Sequence, residues 1–169
     1  YDASNPAIGE MVKTDWLRVP HINLSIPDGS AEGVVSEIEI PLNLVAESIQ
    51  IKVTVAHDHL GDLGFELLSP AGTRNVIFNA GNGFNTSSLD GKLMTSNAFY
   101  GEPAQGQWTL KVTDPFDGDT GILGEWSFRL YGHVAPDETP SAAVEVTDLN
   151  ATGKDESVLL SFRMPSEDT

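Results

Sequence analysis

A chain of 169 residues is long enough for one domain with a sizeable core, or for one domain and a fragment. Its formal net charge of −16 argues against nucleic acid and membranes as partners, because nucleic acid and anionic lipid both require a positive surface. The absence of cysteine excludes disulfides, thiol catalysis and thiolate zinc sites. With 16 Gly and 10 Pro, the composition favours a turn-rich β protein.

Residues 1–20 space their apolar side chains irregularly and are predicted to form an extended lead-in with a short helical turn. The chain does not begin with Met, and no apolar run approaches the ~20 residues of a membrane helix. We therefore expect a mature piece or an excised domain. The first strand is predicted within residues 21–27, where alternate side chains are apolar, and it stops at Pro27-Asp28-Gly29.

Several later segments alternate apolar and polar side chains with the period of a half-buried strand. The predicted inward sets are Ile38, Ile40, Leu42 and Leu44; Ile49, Ile51, Val53 and Val55; Leu63, Phe65 and Leu67; Trp108, Leu110 and Val112; and Trp126, Phe128 and Leu130. A strand is also predicted at residues 74–79, and the Gly-, Asn- and Ser-rich residues 80–91 are predicted to be a long loop. No helical period separates these segments. The pattern predicts an all-β, antiparallel sandwich of about eight strands.

The composition changes after His133. Residues 134–143 are rich in Pro and acidic residues and are predicted to be a linker that closes the sandwich of residues 21–133. Residues 144–169 contain two more strand patterns. Two strands alone do not make a stable domain, so this tail is either a truncated second domain or an addition to the sandwich.

Three motifs, HDHLGDLGFELLSPAGT, AFYGEPAQGQWTLKVTD and DGDTGILGEWSFRLYG, occur in that order within residues 21–132. Together they resemble the P domain, or P/Homo B domain, that follows the catalytic domain of kexin-like and other subtilisin-like proteases. Leu60 departs from the Arg that precedes Gly-Asp in eukaryotic convertases, so an Arg-Gly-Asp adhesion site is not expected, and bacterial members commonly lack that Arg. The tail weakly resembles the first two strands of a fibronectin type III module.

The resemblance implies a jelly-roll sandwich without catalytic residues of its own. It also implies a secreted protein, which is expected to be bacterial. The expected partner is the catalytic protease domain of the same protein, which the family packs on and stabilises and whose dependence on calcium and pH it tunes. A protein substrate is a further expected partner.

Calcium is the metal that the sequence favours. It takes 6–8 oxygen ligands from carboxylates, carbonyls and water, and two loops of this chain are dense in carboxylates. The predicted ligands are Asp58 and Asp62 in the first loop, and Asp114, Asp117 and Asp119 in the second. The competing interpretation is that these are solvated acidic turns, in which aspartates cap backbone N–H groups.

Other functions are less well supported by the residues. His57 and His59 lie two apart and would point the same way on a strand, which would suit a zinc site if a third ligand joined them. A nucleophilic serine segment is missing, so catalysis by this piece is not expected. The alternatives left open are a module that binds carbohydrate or a macromolecular substrate, through Phe84, Phe99, Tyr100, Phe116 and Tyr131, and the P domain of a secreted metallopeptidase.

Overall fold

A computed structural model describes residues 10–134, 148–154 and 157–163. The chain divides into two compact units, Tyr1–Ala135 and Pro136–Thr169. In the first unit, a six-stranded and a four-stranded antiparallel sheet pack as a sandwich, which confirms the predicted fold class. None of the helical turns in the described ranges is long and apolar enough to cross a membrane.

The six-stranded sheet is built around two long strands. Its members are β1 (Met11–Lys13), β2 (Leu17–Val19), β3 (Leu24–Ile26), β5 (Leu44–His57), β8 (Ser88–Ser96) and β10 (Gly121–Val134). Strands β5 and β10, each of 14 residues, pair along their whole length. The other edge of β10 pairs with β1, β2 and β3, and the other edge of β5 pairs with β8.

The four-stranded sheet has the order β4 (Ser30–Ile40), β9 (Gly106–Asp114), β6 (Gly64–Leu68) and β7 (Arg74–Phe78). A short 3-10 turn, Leu60–Asp62, carries the chain from β5 into β6. This connection takes the chain from one sheet to the other at the end of the sandwich where β9 finishes and β10 begins. The same end therefore collects the loops that the sequence marked as acidic.

The core lies between the two sheets and is made by the alternating side chains. Every predicted inward residue of β5, β6, β9 and β10 is buried. Trp108 packs against Phe128 with ring centroids 4.9 Å apart, and its Nε1 donates to the Ala104 carbonyl at 2.8 Å. Trp126 Nε1 donates across the core to Ser36 Oγ at 2.9 Å. Removing an aromatic side chain of this kind from a core costs about 3–5 kcal/mol.

Some strand boundaries differ from those predicted. Pro41 ends β4, so Leu42 lies in an exposed connection and Leu44 begins a strand of the other sheet. Strand β4 is an edge strand, a position where a proline costs no hydrogen bond between strands. Strand β8 begins at Ser88, inside the predicted loop of residues 80–91. Strands β1 and β2 lie in the segment predicted as a lead-in, where three-residue strands are too short to show a period.

The second unit contains a hairpin of β11 (Asp148–Lys154) and β12 (Ser157–Arg163), paired antiparallel from Asp148↔Arg163 to Lys154↔Ser157. These strands overlap the two strand patterns predicted in the tail. The proposed likeness to a fibronectin type III module stays a prediction. The predicted linker lies outside the described residues except for Val134, which ends β10.

Candidate functional site

The two predicted acidic loops meet at one end of the sandwich. The first follows β5 and includes the 3-10 turn, and the second connects β9 to β10. Asp58 joins them. Its backbone N–H donates to the Thr120 carbonyl at 3.1 Å, and its Oδ2 accepts from the Thr120 N–H at 3.2 Å and from Thr120 Oγ1 at 3.1 Å. The two loops therefore form one surface rather than two separate sites.

Beneath this surface, His57 and Asp114 form a buried pair. Nε2 of His57 lies 3.0 Å from Oδ2 of Asp114, and both side chains are 0% exposed. The other carboxylate oxygen, Oδ1, accepts from the backbone N–H of Phe116 at 3.3 Å. Asp114 therefore lies in the core with both oxygens occupied, and it is not at the surface with the other predicted calcium ligands.

The second ring nitrogen of His57 is also held inside the protein. Nδ1 lies 2.9 Å from the His59 carbonyl oxygen and 3.2 Å from the His59 backbone nitrogen. The first residue of β10 must be glycine here, because a Cβ on Gly121 would lie 2.2 Å from Cδ2 of the His57 ring. A sealed imidazole of this kind can hold the end of a strand in place. It presents no nitrogen to a substrate.

Three side chains at the surface converge into a group that we call the His–Asp cluster: His59, Asp62 and Asp119. One ligand atom from each lies within 4.8 Å of the other two. His59 Nδ1 is 3.7 Å from Asp62 Oδ2, and these side chains are 51% and 18% exposed. His59 and Asp119 border a concavity of about 460 Å³ that is also lined by Asp58. Two carboxylates and an imidazole in this arrangement can bind a divalent cation.

Asp117, the remaining predicted ligand, lies outside the His–Asp cluster. Its Oδ1 packs against the turn before β4, where a Cβ on Gly29 would lie 2.2 Å from that oxygen. The same turn is tied to the loop by two hydrogen bonds. Gly29 N–H donates to the Phe116 carbonyl at 3.1 Å, and Gly118 N–H donates to Asp28 Oδ1 at 2.9 Å.

The spacing predicted that His57 and His59 point the same way on a strand, and this is wrong. Strand β5 ends at His57, so His59 lies beyond it. One ring is buried and the other is exposed. The aromatic residues considered for a binding platform are also separated. Phe99 is in the core, while Tyr100 is 67% exposed and Phe84 packs its ring edge-on to Phe78.

Comparisons with known proteins agree with the fold. Residues 46–130 match the family model described as the proprotein convertase P-domain. The extracellular serine protease of Aeromonas sobria is 30% identical over 171 residues, which cover 79% of this chain and 27% of that protein. The microbial serine proteinase of Aeromonas salmonicida is 39% identical over 92 residues, covering 47% of this chain and 15% of that protein.

A crystal structure of the serine protease of Aeromonas sobria superposes on this chain with a TM-score of 0.67 at 30% identity. The match covers 78% of this chain and 28% of that one. The matches thus span between about a seventh and a quarter of the length of these two proteases.

Proposed function

Because the chain belongs to the proprotein convertase P-domain family, we propose that it is the non-catalytic accessory domain of a secreted, subtilisin-like serine protease. In this role it packs on the catalytic domain of the same protein, stabilises it and tunes its dependence on calcium and pH. The reported relatives are serine proteases, which favours such a host over a metallopeptidase.

The observation that carries the non-catalytic role is the burial of the His57–Asp114 pair. A catalytic histidine must reach the proton of its nucleophile and of its substrate. Here both ring nitrogens are occupied inside the protein, and the ring is 0% exposed. The pair therefore supports a structural role, in which it fixes the loops that connect the two sheets.

The accessory role is tested in the intact protease with Asp114→Ala. We expect the half-life of peptidase activity at raised temperature to shorten, because the accessory domain is destabilised, while kcat/KM at a permissive temperature stays within about twofold. A loss of kcat of the size seen when a triad member is removed, about 10⁴-fold or more, would overturn the proposal.

We also propose that the His–Asp cluster binds calcium. Asp62 and Asp119 would supply carboxylate oxygens, and backbone carbonyls and water would complete the 6–8 ligands that calcium takes. Calcium does not favour imidazole, whereas zinc does, so His59 makes zinc the competing ion. A cation here would stabilise the end of the sandwich where the loops meet. The chain has no disulfide to do so.

Thermal unfolding measured with EDTA, calcium and zinc tests the site. At a calcium concentration of 100 times Kd, binding adds about 2.7 kcal/mol to the free energy of unfolding. Asp119→Asn should remove this gain. Asp117→Asn is the matched control, since it removes the same charge from the same loop outside the cluster.

An unchanged midpoint on adding calcium would refute the calcium proposal. A shift produced by zinc alone would replace calcium with zinc. If Asp119→Asn and Asp117→Asn reduced the calcium-induced stabilisation equally, calcium would be acting through the general charge of the loop.

A further inference from the structure

Cationic side chains are concentrated on the outer face of the six-stranded sheet. The whole sequence has 9 Lys and Arg residues and 25 Asp and Glu residues, and four of the 9 cations project from this face. We call the group the cationic face and define it by Lys13, Trp16, Arg18, Lys52, Arg129 and Tyr131. The alternation of β10 fixes this arrangement, because Trp126, Phe128 and Leu130 point into the core and the residues between them point out.

The cations lie in neighbouring rows across the sheet. Arg18 and Lys52 both lie opposite Ser127, one on each side of β10. Arg129 lies two residues further along β10, opposite Gln50, so it is a diagonal neighbour of Lys52. Diagonal neighbours in an antiparallel sheet are about 7–8 Å apart. Alternate side chains of an extended peptide repeat at about 6.8 Å, which is close to the same spacing.

Few carboxylates neutralise this face. In residues 10–134, Arg18 has Glu125 within ion-pair distance, at 3.3 Å, and Lys13, Lys52 and Arg129 have none. Arg129 instead donates from Nε to Gln50 Oε1 at 3.1 Å. The face therefore keeps a positive charge on a protein of net charge −16. A concavity of about 320 Å³ opens beside Trp16, Arg18 and Lys52, and the one carboxylate that lines it is Glu125, the partner of Arg18.

The aromatic rings of this face are already in contact with its cations. Lys52 Nζ lies 4.4 Å from the centre of the Trp16 ring, and the Arg129 guanidinium carbon lies 4.3 Å from it. Lys13 and Arg129 lie at 5.9 and 5.5 Å from the Tyr131 ring. These contacts hold the flexible cations in place, which lowers the entropy lost when they bind an anion. A sugar that needs an open ring face for stacking fits less well.

From the charge and spacing we propose that the cationic face is a docking surface for an extended peptide segment rich in Asp and Glu. Such a peptide presents a carboxylate at each cation in turn. The overall negative charge does not prevent this, because the opposite sheet lies about 10 Å away and the Debye length at 0.1 M salt is also about 10 Å. The proposal rests on this face alone and is independent of the His–Asp cluster and of the role beside a protease.

Fluorescence anisotropy of a labelled poly-glutamate peptide tests the proposal on the chain as it stands. We expect saturable binding at low salt, no binding of poly-glutamine of the same length, and loss of binding in 1 M salt, where the Debye length is about 3 Å. Lys52→Gln should weaken binding about fivefold, the upper end for one surface ion pair.

Lys111→Gln is the matched control, because Lys111 projects from the outer side of β9 in the other sheet and its loss changes the net charge equally. It should leave the affinity unchanged. Absence of poly-glutamate binding would overturn the proposal, as would equal weakening by the two substitutions. Tighter binding of a sulfated oligosaccharide than of poly-glutamate would assign the face to a polysaccharide instead of a peptide.

Discussion

The buried His57–Asp114 pair gives the sharpest test of how this end of the sandwich is held. Asp114→Ala removes the acceptor of the His57 ring and of the Phe116 N–H, which lie 3.0 and 3.3 Å from its carboxylate oxygens. The His57 ring cannot turn to water without opening the loops, because its side chain is 0% exposed. Its nitrogen would be left without a partner, and the Phe116 N–H would lose its acceptor within the loop.

The expected cost follows from these two losses. A buried donor without a partner costs about 1–3 kcal/mol, and removing one member of a buried pair costs about 3–5 kcal/mol. We expect Asp114→Ala to lower the free energy of unfolding by about 3–5 kcal/mol. Asp114→Asn keeps the volume and one oxygen acceptor, so it should cost less.

Urea unfolding at neutral pH measures these changes. The double variant His57→Ala/Asp114→Ala should be more stable than the sum of the single losses predicts, by more than about 1 kcal/mol, because the two side chains are in contact. Asp117→Ala, in the exposed part of the same loop, should change stability by no more than about 0.5 kcal/mol. A loss below about 1 kcal/mol in Asp114→Ala, together with additive single effects, would refute this account of the pair.

Two further predictions concern single contacts. Gly121→Ala places a Cβ 2.2 Å from the buried imidazole and 2.8 Å from a backbone carbonyl, so it should lower the free energy of unfolding by about 1–3 kcal/mol. Gly124→Ala in the same strand meets nothing closer than 3.5 Å and should be tolerated. Equal unfolding midpoints for the two variants would contradict this. Hydrogen bonds from Arg74 lower the pKa of Glu66. Glu66→Gln should therefore cause a small loss of stability at pH 7. The loss should disappear as the pH falls through that lowered pKa, below the ordinary value of about 4.3, because the wild-type carboxyl group is then neutral like the glutamine. A loss that persists at pH 2 would show that it does not come from the charge.

The sandwich could be predicted from the sequence because strand alternation is a local property. The inward sets of β5, β6, β9 and β10 follow directly from the period of two. Strand β8 was missed because it is mostly polar and only Met94 and Ser96 are buried in it. Its position depends on pairing with β5, and the residues of β8 alone do not predict that pairing.

The candidate site was harder to predict, because its members come from distant parts of the chain. His57 and Asp114 are 57 residues apart, so no local spacing in the sequence relates them. A local signal was nevertheless present. Continuing the inward alternation beyond Val55 and Val112 reaches His57 and Asp114, so the same period that located the core also places both residues in it. Spacing alone did not indicate that His59 would join Asp62 and Asp119.

The division of the strand partners of β10 into three short pieces affects how the protein behaves in solution. A 14-residue strand at the margin of a sheet would offer a long row of free N–H and C=O groups, on which another chain can add a strand and start aggregation. Here β1, β2 and β3, of three residues each, occupy that row in turn. Because irregular segments separate them, this margin of the sheet presents only short strands to neighbouring molecules. These three strands therefore protect the β10 side of the sheet from edge-to-edge association.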